Sequence, residues 1–142
     1  REQFDGLFKF TCVRNPWERC VSFFFSPHRG PVEWSPEAFE DFVDRQVQPA
    51  NHYLQITGDE TDPFANVDAV IRFERLEADF AAVCQRIELG PLPLPRINAS
   101  ARSDYRRYYR DDGIIERVAR KFAPERPGRT GRRPAWVAEP AG

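Results

Sequence analysis

Methionine is absent from the 142 residues, and lysine nearly so: Lys9 and Lys121 stand against 19 arginines. No methionine opens the chain, and Arg1 lies only a few residues ahead of a strong strand signal. Both features read as a piece of a larger domain whose upstream elements go unseen. The cysteines, Cys12, Cys20 and Cys84, form no C-x-x-C pair, and His28 and His52 have no ligand-like spacing to them or to each other. This argues against a disulfide scaffold and against the common metal-knuckle patterns. Cys12 and Cys84 fall in apolar patterns and are expected to be inert core residues, which favours a reducing compartment. No apolar run approaches the ~20 residues of a membrane span, and no signal-peptide pattern is present, so the chain reads as soluble.

What is present is an aromatic-rich composition, 13% Phe, Trp and Tyr, able to bury a core. Net charge is only −1, which argues against a generally basic nucleic-acid binder. The even total hides an asymmetry: residues 1–95 carry −7 and residues 96–133 carry +7. Arginine suits bidentate phosphate contacts, and the arginine bias equally fits codon usage.

Leu7 to Val13 is a nearly continuous apolar run, the pattern of a strand covered on both faces in a parallel sheet. Asn15 then suits an N-cap, Pro16 the first helical position and Glu18 the reciprocal place of a capping box, which predicts a helix from Pro16 to Phe25. Ser26 to Trp34 reads as a loop. Ser35-Pro36-Glu37 starts a second helix by the same logic, with Ala38, Phe39, Phe42, Val43 and Val47 on one face. Gln48 to Asn66 is irregular, with a helical turn expected near His52 to Ile56 and an acidic surface loop over Gly58 to Pro63.

Val67 to Phe73 is the second strand signal. Leu76, Phe80, Val83, Cys84 and Ile87 mark the apolar stripe of the helix after it, closed by Gly90. Prolines 91, 93 and 95 forbid regular structure, and Arg96 to Arg110 is an Arg- and Tyr-rich loop. Ile114, Ile115, Val118, Ala119 and Phe122 define a last amphipathic helix, and residues 123–142 read as a disordered tail. Strand–helix units of this kind predict an α/β architecture with a parallel sheet flanked by helices.

In open α/β sheets ligands sit outside the carboxyl ends of the strands. Arg14 and Asn15 occupy that place at a helix N-terminus, where unpaired N–H groups favour an anion. A plain salt bridge and a plain cap account for the same two residues.

The run Phe10 to Phe23, with Arg14-Asn15-Pro16, Glu18-Arg19 and Ser22, resembles the 3′-phosphate-binding segment of sulfotransferases that use 3′-phosphoadenosine 5′-phosphosulfate. In that family a strand is followed by an Arg-Asn/Asp-Pro turn and a helix bearing a Ser eight residues after the Arg. Ile71 to Leu76 resembles the family's segment near the nucleotide. Leu94 to Ser100, Tyr105 to Tyr109 and Ile115 to Val118 look like the C-terminal part of carbohydrate-type members.

The resemblance implies a partial P-loop-NTPase-like three-layer sandwich, with residues 1–122 forming the C-terminal portion of a sulfotransferase domain. It implies transfer of a sulfuryl group from the nucleotide to a hydroxyl of a carbohydrate acceptor, with no metal. Carried over, it assigns Arg14 and Ser22 to the 3′-phosphate. Phe73 matches an aromatic near the adenine, though a Phe closing a strand also reads as core. Ser100 and Arg102, with Asn98, match a loop that approaches the nucleotide. Arg19 reads equally as a helix charge paired with Glu18 or Asp44, and Arg106, Arg107 and Arg110 either meet an acidic sugar chain or are simply solvated. Asn98-Ala99-Ser100 is also a glycosylation sequon and is treated as coincidental.

Family members also hold the 5′-phosphosulfate with a Gly/Ser/Thr-rich loop bearing a Lys, and neither Lys9 nor Lys121 lies in such a loop. The family's usual base lies between that loop and the 3′-phosphate segment, which leaves His28, His52 and Glu33 for acid–base work. The expectation is therefore a sulfotransferase in full-length form, inactive as these 142 residues alone. The competing expectation is an inactive remnant or an anion-binding module. No nucleic-acid partner and no membrane segment are expected. The compartment would be the cytoplasm for a bacterial relative and the Golgi lumen for an animal one.

Overall fold

A computed structural model of the chain describes residues 6–49, 67–96 and 102–123, together with Gln3, His52, Tyr53 and Phe64. Its elements are β1 (Phe10–Val13), α1 (Pro16–Phe24), α2 (Pro36–Arg45), β2 (Ala69–Arg72), α3 (Leu76–Arg86) and α4 (Asp112–Lys121), with 3₁₀ turns at Pro27–Arg29, Phe73–Arg75 and Tyr105–Tyr108. Among the described residues this is a mixed α/β structure with four helices and a two-stranded parallel sheet. β1 and β2 run in register from Phe10 opposite Ala69 to Val13 opposite Arg72.

Helix α1 forms where its sequence predicts. The Asn15 side-chain oxygen accepts from the backbone N–H of Trp17 at 3.0 Å and of Glu18 at 3.5 Å, and Pro16 sits where no backbone donor is needed. The helix ends at Phe24, with Phe25 as its C-cap and Pro27 just beyond. Trp17, Cys20, Val21 and Phe24 fall at helical spacing and are all buried. Each large apolar side chain so buried contributes roughly 1.5–3 kcal/mol before entropy is counted. Trp17 is further pinned at both polar ends. Its indole N–H donates to the Ile115 carbonyl at 3.3 Å, and the Tyr109 hydroxyl donates to its backbone carbonyl at 2.8 Å.

The core lies between α1, α2 and α4, and not across the sheet. Phe24 meets Phe39 and Phe42 edge-to-face, with ring centroids 5.4 and 5.3 Å apart. Ser35 caps α2 through the Ala38 N–H, and Asp111 caps α4 through the Ile114 N–H, each at 3.1 Å. Lys121 donates to the Val43 and Asp44 carbonyls at the far end of α2, giving its unpaired C-terminal carbonyls a cationic partner. The α4 stripe is buried as expected from Ile114 to Phe122. Ala38 is exposed in the first turn of α2, where it opens onto a cleft.

The sheet departs from expectation. Both strands are four residues long, and the covering on both faces is missing: Phe10 is 45% and Val70 38% exposed, while Ile71 is buried. Cys12 is exposed, so it is not a core residue, whereas Cys84 is buried. The physical reason is that two strands and α3 cannot enclose four strand faces, and a continuous apolar run does not say which of its faces finds a cover. For the same reason α3 buries only Val83 and Cys84 fully, and Ile87 is 38% exposed. The turn near His52 to Ile56, the acidic loop at 58–63 and the tail beyond Ala123 lie largely or wholly outside the described residues.

Gly90 does not close α3. The left-handed position is taken by Glu88, with φ of 60°. The Leu89 N–H reaches the Cys84 carbonyl at 2.8 Å and the Glu88 N–H reaches the Gln85 carbonyl at 3.2 Å, the paired bonds of a Schellman ending. A side chain in this conformation carries strain that glycine lacks. Glu88→Gly should therefore raise the unfolding free energy by about 0.5–1 kcal/mol, read from the urea midpoint. An unchanged or lower midpoint would mean that Glu88 makes contacts worth more than the strain.

Candidate functional site

The end of β1, the start of α1, the turn after β2 and the segment before the 105–108 turn meet at one place. Arg14 leaves β1 and lies along the first turns of α1. One of its terminal nitrogens donates to the Ser22 hydroxyl at 3.0 Å, and the other donates to the Glu18 carboxylate at 2.8 Å. The guanidinium lies over the Phe73 ring, 3.9 Å from its centroid. Arg102 reaches the same Glu18 oxygen at 3.4 Å from the far side. Four of the five residues picked from sequence are thus brought together: Ser22 and Phe73 contact the Arg14 guanidinium, and Arg14 and Arg102 share the Glu18 carboxylate. Ser100, the fifth, and Asn98 lie outside the described residues.

Asn15 ties the site together. Its backbone N–H donates to the Glu74 carboxylate at 2.5 Å, and its side-chain amide donates to the Tyr105 hydroxyl at 3.3 Å. The capping-box reading of Glu18 is accordingly corrected. Glu74, from across the sheet, takes the Asn15 N–H, and this leaves Glu18 for the two arginines. The core reading of Phe73 also fails. At 41% exposure it sits in the turn after β2 with one face under Arg14.

The electrostatics are those of two cations sharing one anion. The Arg14 and Arg102 side chains are only 20% and 12% exposed, and Glu18 24%. Burial alone would raise the Glu18 pKa, but the hydrogen bonds and charges of Arg14 and Arg102 outweigh it and hold the carboxyl below its ordinary range. The Arg14 Nε is buried with no hydrogen-bond partner among the described residues. The cluster brings together two guanidiniums, an orphan donor and a hydroxyl. Such a set can hold an oxyanion through charge-assisted hydrogen bonds.

The remaining sequence candidates lie elsewhere. Arg19 donates to the Gln48 carbonyl at 3.0 Å and covers the Phe122 ring, while Asp44 pairs with Arg117. Arg106 pairs with Asp104, and Arg110 bonds the Arg107 carbonyl. His28 and Glu33 are exposed, and His52 packs edge-on against Tyr53. Glu33 borders an open cleft of about 260 Å³ between α1 and α2, with Arg29, Asp41 and Phe42. Among the described residues no group of three or more His, Cys, Asp or Glu could hold a metal ion, and no helix is long and apolar enough to cross a membrane. Glu18, Glu74 and Tyr105 were not picked as site residues from the sequence, although Glu18 reads there as a cap partner and Glu74 and Tyr105 fall within segments that carry the resemblance.

Among curated proteins, the chain is 31% identical over 112 residues to an uncharacterized protein of Archaeoglobus fulgidus, a match that spans 75% of this chain and 89% of that protein. No protein-family model matches the chain, and no solved structure matches it.

The depressed Glu18 pKa has a defined sign in stability. A carboxylate held low when folded contributes stability above its unfolded pKa of about 4.3 and loses it as the pH falls through the folded value. Thermal melts of wild type and Glu18→Gln should therefore differ most at neutral pH and converge as the pH falls through the folded value. A difference independent of pH would show that the ion pairs add nothing to stability.

Proposed function

The chain belongs to one protein family with the uncharacterized Archaeoglobus fulgidus protein, and we propose that it is the part of a sulfotransferase that binds the 3′-phosphate of 3′-phosphoadenosine 5′-phosphosulfate. The observation that carries this reading is the convergence of Arg14 and Ser22, a pair chosen from sequence eight residues apart and joined by a hydrogen bond of 3.0 Å. Arg14 supplies a charged fork and Ser22 a neutral hydroxyl, a combination that distinguishes a 3′-phosphate from a bare ribose hydroxyl. Arg102 adds a second cation. Phe73, one face under Arg14 and 41% exposed, offers its remaining surface to a base. The parallel pair β1–β2 with helices after each strand is consistent with part of a three-layer, P-loop-like sandwich.

In the full-length enzyme a sulfuryl group would pass in line to a hydroxyl of a carbohydrate, with a base removing the hydroxyl proton and cations stabilising the leaving phosphate. This chain's own residues bind and orient the nucleotide end remote from the transferred group. None of them is assigned as the base.

A second reading, an anion-binding module without transferase activity, is favoured by one observation. Both lysines have structural partners: Lys9 donates to the Leu7 carbonyl and pairs with Asp68, and Lys121 caps α2. Neither is placed to contact a phosphosulfate.

Calorimetric titration with adenosine 3′,5′-bisphosphate beside 5′-AMP tests the reading. Binding should require the 3′-phosphate. It should weaken about tenfold or more in Arg14→Ala, the ~1.5–3 kcal/mol of a charged hydrogen bond, and about three- to tenfold in Ser22→Ala. Equal binding of the two nucleotides, or no effect of Arg14→Ala, would overturn it. Binding by a chain that transfers no sulfuryl group would select the module reading.

A further inference from the structure

Glu18 stands where a ligand's oxygen would stand. Its carboxylate accepts from the Arg14 terminal nitrogen at 2.8 Å and from Arg102 at 3.4 Å, so both cations of the site are already bridged by one acceptor of the protein's own. It lies one turn after Arg14 on α1, its side chain partly exposed at 24%, so it can swing out without moving the helix. Arg14 keeps a buried Nε with no partner among the described residues, so Glu18 does not satisfy the guanidinium completely.

We propose that Glu18 is an internal competitor for the anion seat and sets the threshold affinity that an incoming anion must exceed. The inference rests on the reading of Arg14 and Arg102 as that seat. An incoming anion must displace a tethered carboxylate whose effective concentration is about millimolar or higher. The cost of displacing it is the same for every anion, so a monoanion, which makes few contacts beyond those it replaces, keeps little net affinity. A phosphate monoester brings close to two charges and three acceptor oxygens, enough to bridge both guanidiniums and reach the Arg14 Nε and the Ser22 hydroxyl. At a given ligand concentration the site thereby stays closed to weak binders such as phosphodiesters and carboxylates and fills with a terminal phosphate. The contact that stabilises the ligand-free protein is the one that weakens binding of every anion.

The test is calorimetry at fixed ionic strength with three probes: adenosine 3′,5′-bisphosphate, inorganic phosphate and the monoanion dimethyl phosphate. Wild type is compared with Glu18→Gln and Glu18→Ala, each checked for folding by circular dichroism. Both variants should bind inorganic phosphate and dimethyl phosphate about tenfold or more tightly than wild type, by similar factors. Adding Arg14→Ala to Glu18→Gln should abolish the gain. Unchanged or weaker phosphate binding in both folded variants would overturn the proposal, because Glu18 would then be positioning the arginines and not competing for them. Tighter phosphate binding without any preference for the bisphosphate over inorganic phosphate would leave the competitor in place and remove the nucleotide reading alone.

Discussion

The indole of Trp17 fixes helix α1, and α1 has two faces on which the rest depends. One face, Trp17, Cys20, Val21 and Phe24, is sealed against α2 and α4. The other carries Glu18 and Ser22 beneath Arg14. Because the Trp17 N–H and carbonyl are bonded to Ile115 and Tyr109, the helix cannot slide or rotate without leaving buried polar groups unpaired. The position of Ser22 relative to Arg14 is thus set by core packing on the opposite side of the helix. A site built on a locked helix keeps its geometry more closely than one built on loops alone.

The charged cluster shows the reverse economy. Two guanidiniums and one carboxylate, all largely buried, give up hydration that their mutual attraction repays only in part. A sequence selected for stability alone would be better served by apolar groups at these positions. The two cations and the orphan Nε sit where Asn15 ties together the turn after β2, the Tyr105 segment and the helix start.

Local signals were legible in the sequence, and long-range ones were not. The caps at Asn15 and Ser35 and the buried stripe of α4 follow from side-chain chemistry within a turn or two, and all of them hold. Arg14 and Ser22 came from a motif within eight residues. The Glu18–Arg102 contact spans 84 residues of sequence and the Asn15–Glu74 bond 59, separations at which spacing carries no information. Cys12 and Phe73 were misplaced because an apolar strand residue has two possible environments, and only the number of strands and covering helices decides between them. Glu88 was missed because glycine nearby offered the cheaper explanation of a helix end.

The narrowness of the sheet has a consequence for dynamics. Four backbone rungs with half-exposed faces, joined to α3 through little more than Ile71, Val83 and Cys84, hold together less surface than the three-helix core does. The strands and α3 therefore form the lower-stability unit, whose amides open by local fluctuation while those of α1 and α4 exchange only on global unfolding. Since Arg14 and Phe73 emerge from these strands while Glu18 and Ser22 stand on α1, the two sides of the site belong to units of different permanence. Any ligand that bridges them would slow hydrogen exchange in β1 and β2 far more than in the helices that hold the core.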